Sequence, residues 1–359
     1  MRNTGTRGYS GYRGRRPSAK KWVSFVLAVI IVAAAVFLLA QRYLVYDKDG
    51  TYHFEPPWSH RDSGGTSKPG LRLRQRQDLE IVIETPTPSQ VAEKELHAQE
   101  LDGSVLAGGM ARAIEALPGN INAVAIRLKN ADGDLLYPSA LPAAIEAKAV
   151  TGSSIARSEL EELTSSDYYA IARLSTLHDS RFSFAHMTDA AVQQKAYKNY
   201  IWYAPDSTFY LAPEKDLTRE YLSDIAAEVA ALGFDELLLD DFAYPTVGRL
   251  ENIKTDDRGM TQQEALTLLA GNLREAVSDY GAKLSLVMDE KTVLAGGNTT
   301  SGQDLASLAN VFDRIYVPTT EEGIPALRET LAPYSAELVP ILAAPPELES
   351  GTFFIASVS

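Results

Sequence analysis

The chain has no cysteine in its 359 residues. Disulfides, thiol nucleophiles and thiolate metal sites are therefore excluded. Histidine is scarce, with five in all. His178 and His186 lack the i,i+4 spacing of a zinc-binding helix, so no metal is expected. There is no Gly-rich phosphate loop and no G-x-S-x-G elbow, which leaves nucleotide binding and Ser/His/Asp catalysis without a sequence basis. No cofactor is expected. Basic residues run short after the N-terminus. Residues 1–21 hold seven Arg and Lys and no acid, which leaves 27 bases against 47 acids, a net of −20, for the rest. A body of that sign is a poor nucleic-acid partner, because phosphate binding needs clustered Lys and Arg.

Long apolar runs are also missing, with one exception. Trp22 to Ala40 is apolar throughout except for Ser24. As a helix it would span roughly 28 Å, close to the thickness of a bilayer core. It is longer than the roughly 7–15 residues of a cleaved signal core. Residues 22–41 are therefore expected to be a retained transmembrane anchor. The basic tail, 1–21, then lies in the cytoplasm and the remainder outside. Residues 42–78, with Pro56-Pro57 and Ser63-Gly64-Gly65, are expected to form an extracytoplasmic linker.

Residues 79–359 are expected to form an α/β domain. Leu79–Glu84 and Glu95–Leu101 are alternative first strands. After them strands and helices alternate. Strands are expected at 122–129, 168–175, 235–240, 284–290, 314–320, 337–343 and 352–357. Helices are expected at 111–117 and near 189–200, and along the face Leu222, Ile225, Val229 and Leu232, which Gly233 stops. Another opens on the capping box Thr261-Gln262-Gln263-Glu264, buries Leu266, Leu269, Leu273 and Val277, and ends at Gly281. The alternation and size point to a (β/α)8 TIM-type barrel, whose chemistry sits at the C-terminal ends of the strands. Asn130–Asp134 is read as a tight turn.

Strand parity sorts the side chains. Ala123, Ala125, Arg127, Lys129, Ile171, Arg173, Ser175, Leu238, Asp240, Ser285, Val287 and Asp289 are expected to face the barrel axis. Asp241 takes the opposite parity to Asp240. Neighbouring strands lie about 4.8 Å apart, so Asp240 and Asp289 could approach the roughly 5–5.5 Å of a retaining glycosidase pair. Asp240 is the candidate nucleophile and Asp289 the candidate acid, with Glu290 the alternative acid and Glu321 and Glu322 further carboxylates. Arg127, Lys129, Arg173 and Asp241, with the aromatics Trp202, Tyr203 and Tyr244, are candidate substrate-binding residues. The competing arrangement holds the carboxylates in a structural ion network. A closed salt bridge on Asp240 would favour that arrangement and a non-catalytic, glycan- or envelope-binding barrel.

The runs YYAIARLSTLHD (168–179), IWYAPDSTFYLAP (201–213), LGFDELLLDDFAYP (232–245) and SGQDLASLA (301–309) resemble a bacterial family of barrel domains assigned to the glycoside hydrolases and distantly similar to α-amylase-type barrels. The resemblance implies a polysaccharide substrate. It matches Asp240 to the acid ending the fourth strand, Arg173 to an arginine of the preceding strand and Asp179 to an acid in the next loop. Gln303-Asp304 matches a polar pair opening a later helix. Arg127 stands where many relatives carry an acid, and Leu238 where amylase-type barrels carry an arginine.

Overall fold

The computed structural model describes residues 44–46, 52–54, 95–196, 199–254, 259–346 and 351–357. The expected tail, anchor and alternative strand Leu79–Glu84 lie outside them. The chain divides into two units, Met1–Thr85 and Pro86–Ser359. In the first, Leu44–Tyr46 pairs antiparallel with Tyr52–Phe54 inside the expected linker. The second is the barrel.

Eight parallel strands close into a ring in sequence order. They are β1 (His97–Glu100), β2 (Ala123–Lys129), β3 (Tyr169–Ser175), β4 (Glu236–Asp240), β5 (Lys283–Val287), β6 (Arg314–Pro318), β7 (Glu337–Leu342) and β8 (Phe353–Ile355). Phe353 and Phe354 of β8 pair with His97 and Ala98 of β1 and close the circle. Glu95–Leu101, not Leu79–Glu84, thus supplies the first barrel strand.

Nine helices lie among the described residues: α1 (Met110–Glu115), α2 (Pro142–Glu146), α3 (Ser154–Thr164), α4 (Ser180–Ala185), α5 (Asp216–Ala231), α6 (Gln262–Val277), α7 (Glu290–Leu294), α8 (Leu305–Leu308) and α9 (Ile324–Leu331). Gly233, at φ +92°, ends α5 and turns the chain into β4. The backbone N–H of Glu264 donates to Thr261 Oγ1 at 3.2 Å and that of Thr261 to Glu264 Oε2 at 2.8 Å, which completes the capping box of α6. Each bond satisfies an amide that the first helical turn leaves open.

Parity divides the core as the period of two requires. Val124, Ile126, Ala170, Ala172, Leu237, Leu239, Leu284 and Leu286 pack outward under the helices. Ala98, Ala123, Ala125, Ile171, Leu238, Tyr316, Val339 and Phe354 fill the lumen. The alanines of β1 and β2 leave room for the two large rings, which meet edge-on with centroids 5.5 Å apart.

Three expectations change. No helix occupies the described part of 189–200. Its amides go elsewhere: Val192 N donates to Tyr210 O, Gln194 N to Tyr200 O and Lys195 N to Asn252 O. Tertiary pairing overrides helix propensity there. Strand β5 stops at Val287, because Asp289 caps α7. A register shift between Arg127 and Lys129 sets Lys129 opposite Leu174. One extra residue in a strand turns the following side chain to the other face, so Lys129 leaves the lumen.

Leu239 is buried against the helices at 1% exposure. Leu239→Ala should destabilise the barrel by about 2–5 kcal/mol, seen as a lower urea midpoint with an unchanged m-value.

Candidate functional site at the barrel mouth

The first four strands each bring one charge to the C-terminal end of the lumen. Arg127 and Arg173 pair across β2 and β3, and Ser175 pairs with Asp240 across β3 and β4. Arg173 therefore starts two residues below Asp240, and its long side chain spans that offset. Its Nε donates to Asp240 Oδ2 at 2.6 Å and its Nη2 to Oδ1 at 3.0 Å. Its Nη1 donates to Glu100 Oε2 at 2.7 Å. Arg127 Nη1 donates to Asp240 Oδ2 at 3.0 Å, and Nη2 lies 3.7 Å from Glu100 Oε1. Two carboxylates and two guanidiniums thus form a closed, neutral ring. Ser357 N, just beyond β8, donates to Glu100 Oε2 at 3.2 Å.

Burial alone would pull the Arg173 guanidinium down. The charges and hydrogen bonds of Asp240, followed by those of Glu100, more than reverse this and hold it above its ordinary value. Removing such charges from water is costly unless each is paired and hydrogen-bonded. The fork geometry of Arg173 on Asp240 meets that condition. Asp240 accordingly sits in the expected place, at the inward end of β4, with both oxygens engaged.

The other expected residues divide. Lys129 is fully buried outside the lumen, with Nζ 2.8 Å from Asp179 Oδ2 and donating to Ser175 O at 2.9 Å. It cannot touch a ligand at the mouth. Asp179 Oδ1 accepts from Phe182 N at 2.8 Å and caps α4. A Cβ on Gly133 would lie 2.0 Å from that oxygen, so only glycine, here at φ +93°, lets the loop close over it. Asp289 is exposed, but its Oδ1 accepts from Thr292 N and its Oδ2 from Thr292 Oγ1. Glu290 is half-buried and accepts from Thr319 Oγ1, beyond β6, at 3.2 Å.

Asp241 is exposed and adopts φ +52°, a conformation that costs a non-glycine residue about 1–3 kcal/mol. The buried Ser175 hydroxyl donates to its Oδ2 at 2.5 Å. Burial first, and then the charges of Asp241 and Asp206, hold the Tyr210 hydroxyl above its ordinary value. His178 stacks flat on Tyr210 at 4.5 Å. Trp202 is buried at 2% exposure, whereas its neighbour Tyr203 is 57% exposed. Tyr244 is buried and donates to Glu214 Oε2 at 2.6 Å. Glu100 was not singled out from sequence; its signal was an acid closing a strand candidate. Among the described residues no group of three or more His, Asp or Glu converges on a metal position.

The closed eight-stranded ring makes this a TIM-type barrel with a charged mouth. The chain belongs to the family described as "Putative glycosyl hydrolase domain", whose model matches residues 110–318. Among solved structures it is similar to the PgaB (BpsB) glycoside hydrolase domain from Bordetella bronchiseptica. That match has 15% identity and a TM-score of 0.50, over 69% of this chain and 83% of that one. A hypothetical protein from Ruminiclostridium thermocellum matches at 24% identity and TM-score 0.44, over 52% and 96%. An exo-β-N-acetylglucosaminidase from Vibrio harveyi matches at 12% and 0.47, over 69% and 41%. The Bordetella likeness supports the fold. No curated protein sequence matches the chain.

The Lys129–Asp179 pair offers a test of the mouth's foundation. Lys129→Met leaves a buried carboxylate without its cation and should cost about 3–5 kcal/mol. The Lys129→Met/Asp179→Asn double variant keeps the α4 cap and removes the stranded charge. It should recover more than half of that loss in a thermal or urea double-mutant cycle.

Proposed function

We propose that this protein is a membrane-anchored, extracytoplasmic barrel that binds glycan at its C-terminal mouth and does not cleave it through Asp240. The closed Glu100–Arg173–Asp240–Arg127 ring carries this conclusion. A nucleophile must come within roughly 3–3.5 Å of the reacting carbon with an available lone pair. Both oxygens of Asp240 instead accept from guanidiniums, Oδ2 from two of them. A retaining mechanism also needs a second free carboxylate, while Glu100 is tied to Arg173 and Asp289 spends both oxygens on Thr292.

Sugar recognition asks for flat apolar faces and exposed acceptors. Phe184 and Tyr200 are exposed on the excursion after β3, and Asp241 offers an exposed carboxylate just after β4. The anchor rests on the apolar run of residues 22–41 and its basic flank. A second role is favoured by two observations. Glu290 keeps a half-buried carboxyl with one described partner, and Asp240 Oδ1 has a single donor. Hydrolysis with Asp240 as nucleophile and Glu290 as acid would use those two lone-pair positions.

Full-length protein screened on a glycan panel should retain at least one polysaccharide and release no reducing sugar. Asp241→Asn should weaken retention about tenfold, the loss of a charge-assisted hydrogen bond. Release that disappears in both Asp240→Asn and Glu290→Gln would replace binding by hydrolysis. In cells, the full chain should partition with membranes and a form lacking residues 1–41 should be soluble; equal partitioning would refute the anchor.

A further inference from the structure

We infer a second, separate ligand site in which Arg249 holds the charged group of an acidic saccharide unit against the ring of Tyr203. It rests on the glycan-binding function above and names a chemical class for one part of the ligand. The site lies between the loop after β3 and the loop after β4, the two strands that carry Arg173 and Asp240. It encloses about 580 Å³, lined by Gln194, Trp202, Tyr203, Pro205, Arg249 and Asn252 among others. That volume lies within the usual range of small-molecule sites, about 300–1,000 Å³.

The two loops are fastened to each other, so the cavity is part of the fold. Lys195 N donates to Asn252 O at 2.7 Å and Lys254 N to Gln193 O at 2.8 Å. The Trp202 indole N–H donates to Arg249 O at 3.1 Å. A Cβ on Gly248 would stand 3.1 Å from Pro205 Cδ and 3.2 Å from Trp202 Cζ2, and the residue has φ +110°. Glycine at this position lets the second loop lie directly on the indole. Trp202, which sequence alone offers as a stacking surface, therefore forms the floor, and the exposed Tyr203 supplies the accessible ring.

The lining fits an anion with a sugar attached. Arg249 is exposed and has no carboxylate within 4.0 Å among the described residues. Arg127, Arg173, Arg181, Arg219, Arg274 and Arg314 each hold an acid; of the described arginines without one, Arg249 is the one that lines this cavity. A guanidinium presents a planar fork of donors that suits carboxylate or phosphate oxygens. The half-buried side-chain amides of Gln194 and Asn252 have no described partner and can meet hydroxyls. The net of −20 outside residues 1–21 limits how much negative charge can approach, since repulsion acts over about 8 Å at physiological salt. A single charged unit on an otherwise neutral chain fits better than a polyanion.

Calorimetric titration of the full-length protein tests the site with three probes: xylotriose bearing one glucuronate, maltotriose 6-phosphate, and neutral xylotetraose. One of the anionic probes should bind at least tenfold more tightly than xylotetraose, and which one it is separates carboxylate from phosphate. Arg249→Gln should erase that preference, and Tyr203→Ala should weaken all binding. Both side chains are exposed, so both variants should keep the wild-type melting temperature. Equal affinity for charged and neutral probes, or a preference that survives Arg249→Gln, overturns the inference. If the panel finds a glycan whose binding depends on Asp241 but not on Arg249 or Tyr203, this site fails and the mouth function stands. If no glycan binds at all, both fail.

Discussion

The arrangement of the barrel depends on one carboxylate shared by two guanidiniums. Arg173 grips both oxygens of Asp240, Arg127 takes one of them as well, and Glu100 answers both arginines from the other side. Four charges from four consecutive strands can stand at the end of a mostly apolar lumen only because they cancel and saturate one another. The opposite end repeats the device. Arg314, at the start of β6, meets Glu236 of β4 at 2.6 Å and Glu337 of β7 at 2.8 Å. Burial works against that guanidinium, but Glu236 and then Glu337 hold it well above its ordinary value. Ile171, Leu238, Tyr316 and Phe354 lie between the two seals. The lumen is thus a core closed by ion networks, and a ligand meets the rim before it meets Asp240.

How far the residues reveal this depends on whether a strand keeps its period. Where alternation is unbroken, as in β3 and β4, parity alone separates the layer of Ala172, Leu237 and Leu239 from the lumen and sends Arg173 and Asp240 inward. In β2 it carries Arg127 correctly and then fails by one residue. The irregularity before Lys129 has no sequence signal as strong as a glycine or proline, and the lysine's partner, Asp179, is 50 positions away. Asp289 fails for a different reason. Its side chain satisfies the open amide of Thr292, so the chain starts a helix where apolar alternation would continue a strand. Glu100 stayed hidden because two segments competed to be the first strand. Local pattern is legible in this chain; the ion partners, distant in sequence, are not.

The same distinction bears on family membership. A TIM-type barrel supports many chemistries through its rim, so belonging to a glycoside-hydrolase family fixes the scaffold more firmly than the activity. In this chain the acid that ends β4, Asp240, has both oxygens taken by guanidiniums. Arg173 reaches it from the adjacent strand β3, and Arg127 from β2, one strand further on.

The pair Asp240-Asp241 shows the division of labour within two residues. The strand ends as β3 and β4 exchange their last bonds, with Thr176 N donating to Asp240 O at 3.0 Å and Leu177 N to Asp241 O at 3.3 Å. An ordinary extended residue at 241 would turn its carboxylate outward, into the layer beneath the helices. The left-handed backbone there instead sets the carboxylate on Ser175 and leaves it in solvent. Asp240 serves the lumen, while Asp241 gives the buried Ser175 hydroxyl an acceptor. A glycine would take the same turn without strain. Aspartate at this position both accepts from the Ser175 hydroxyl and keeps a charge exposed to solvent at the rim.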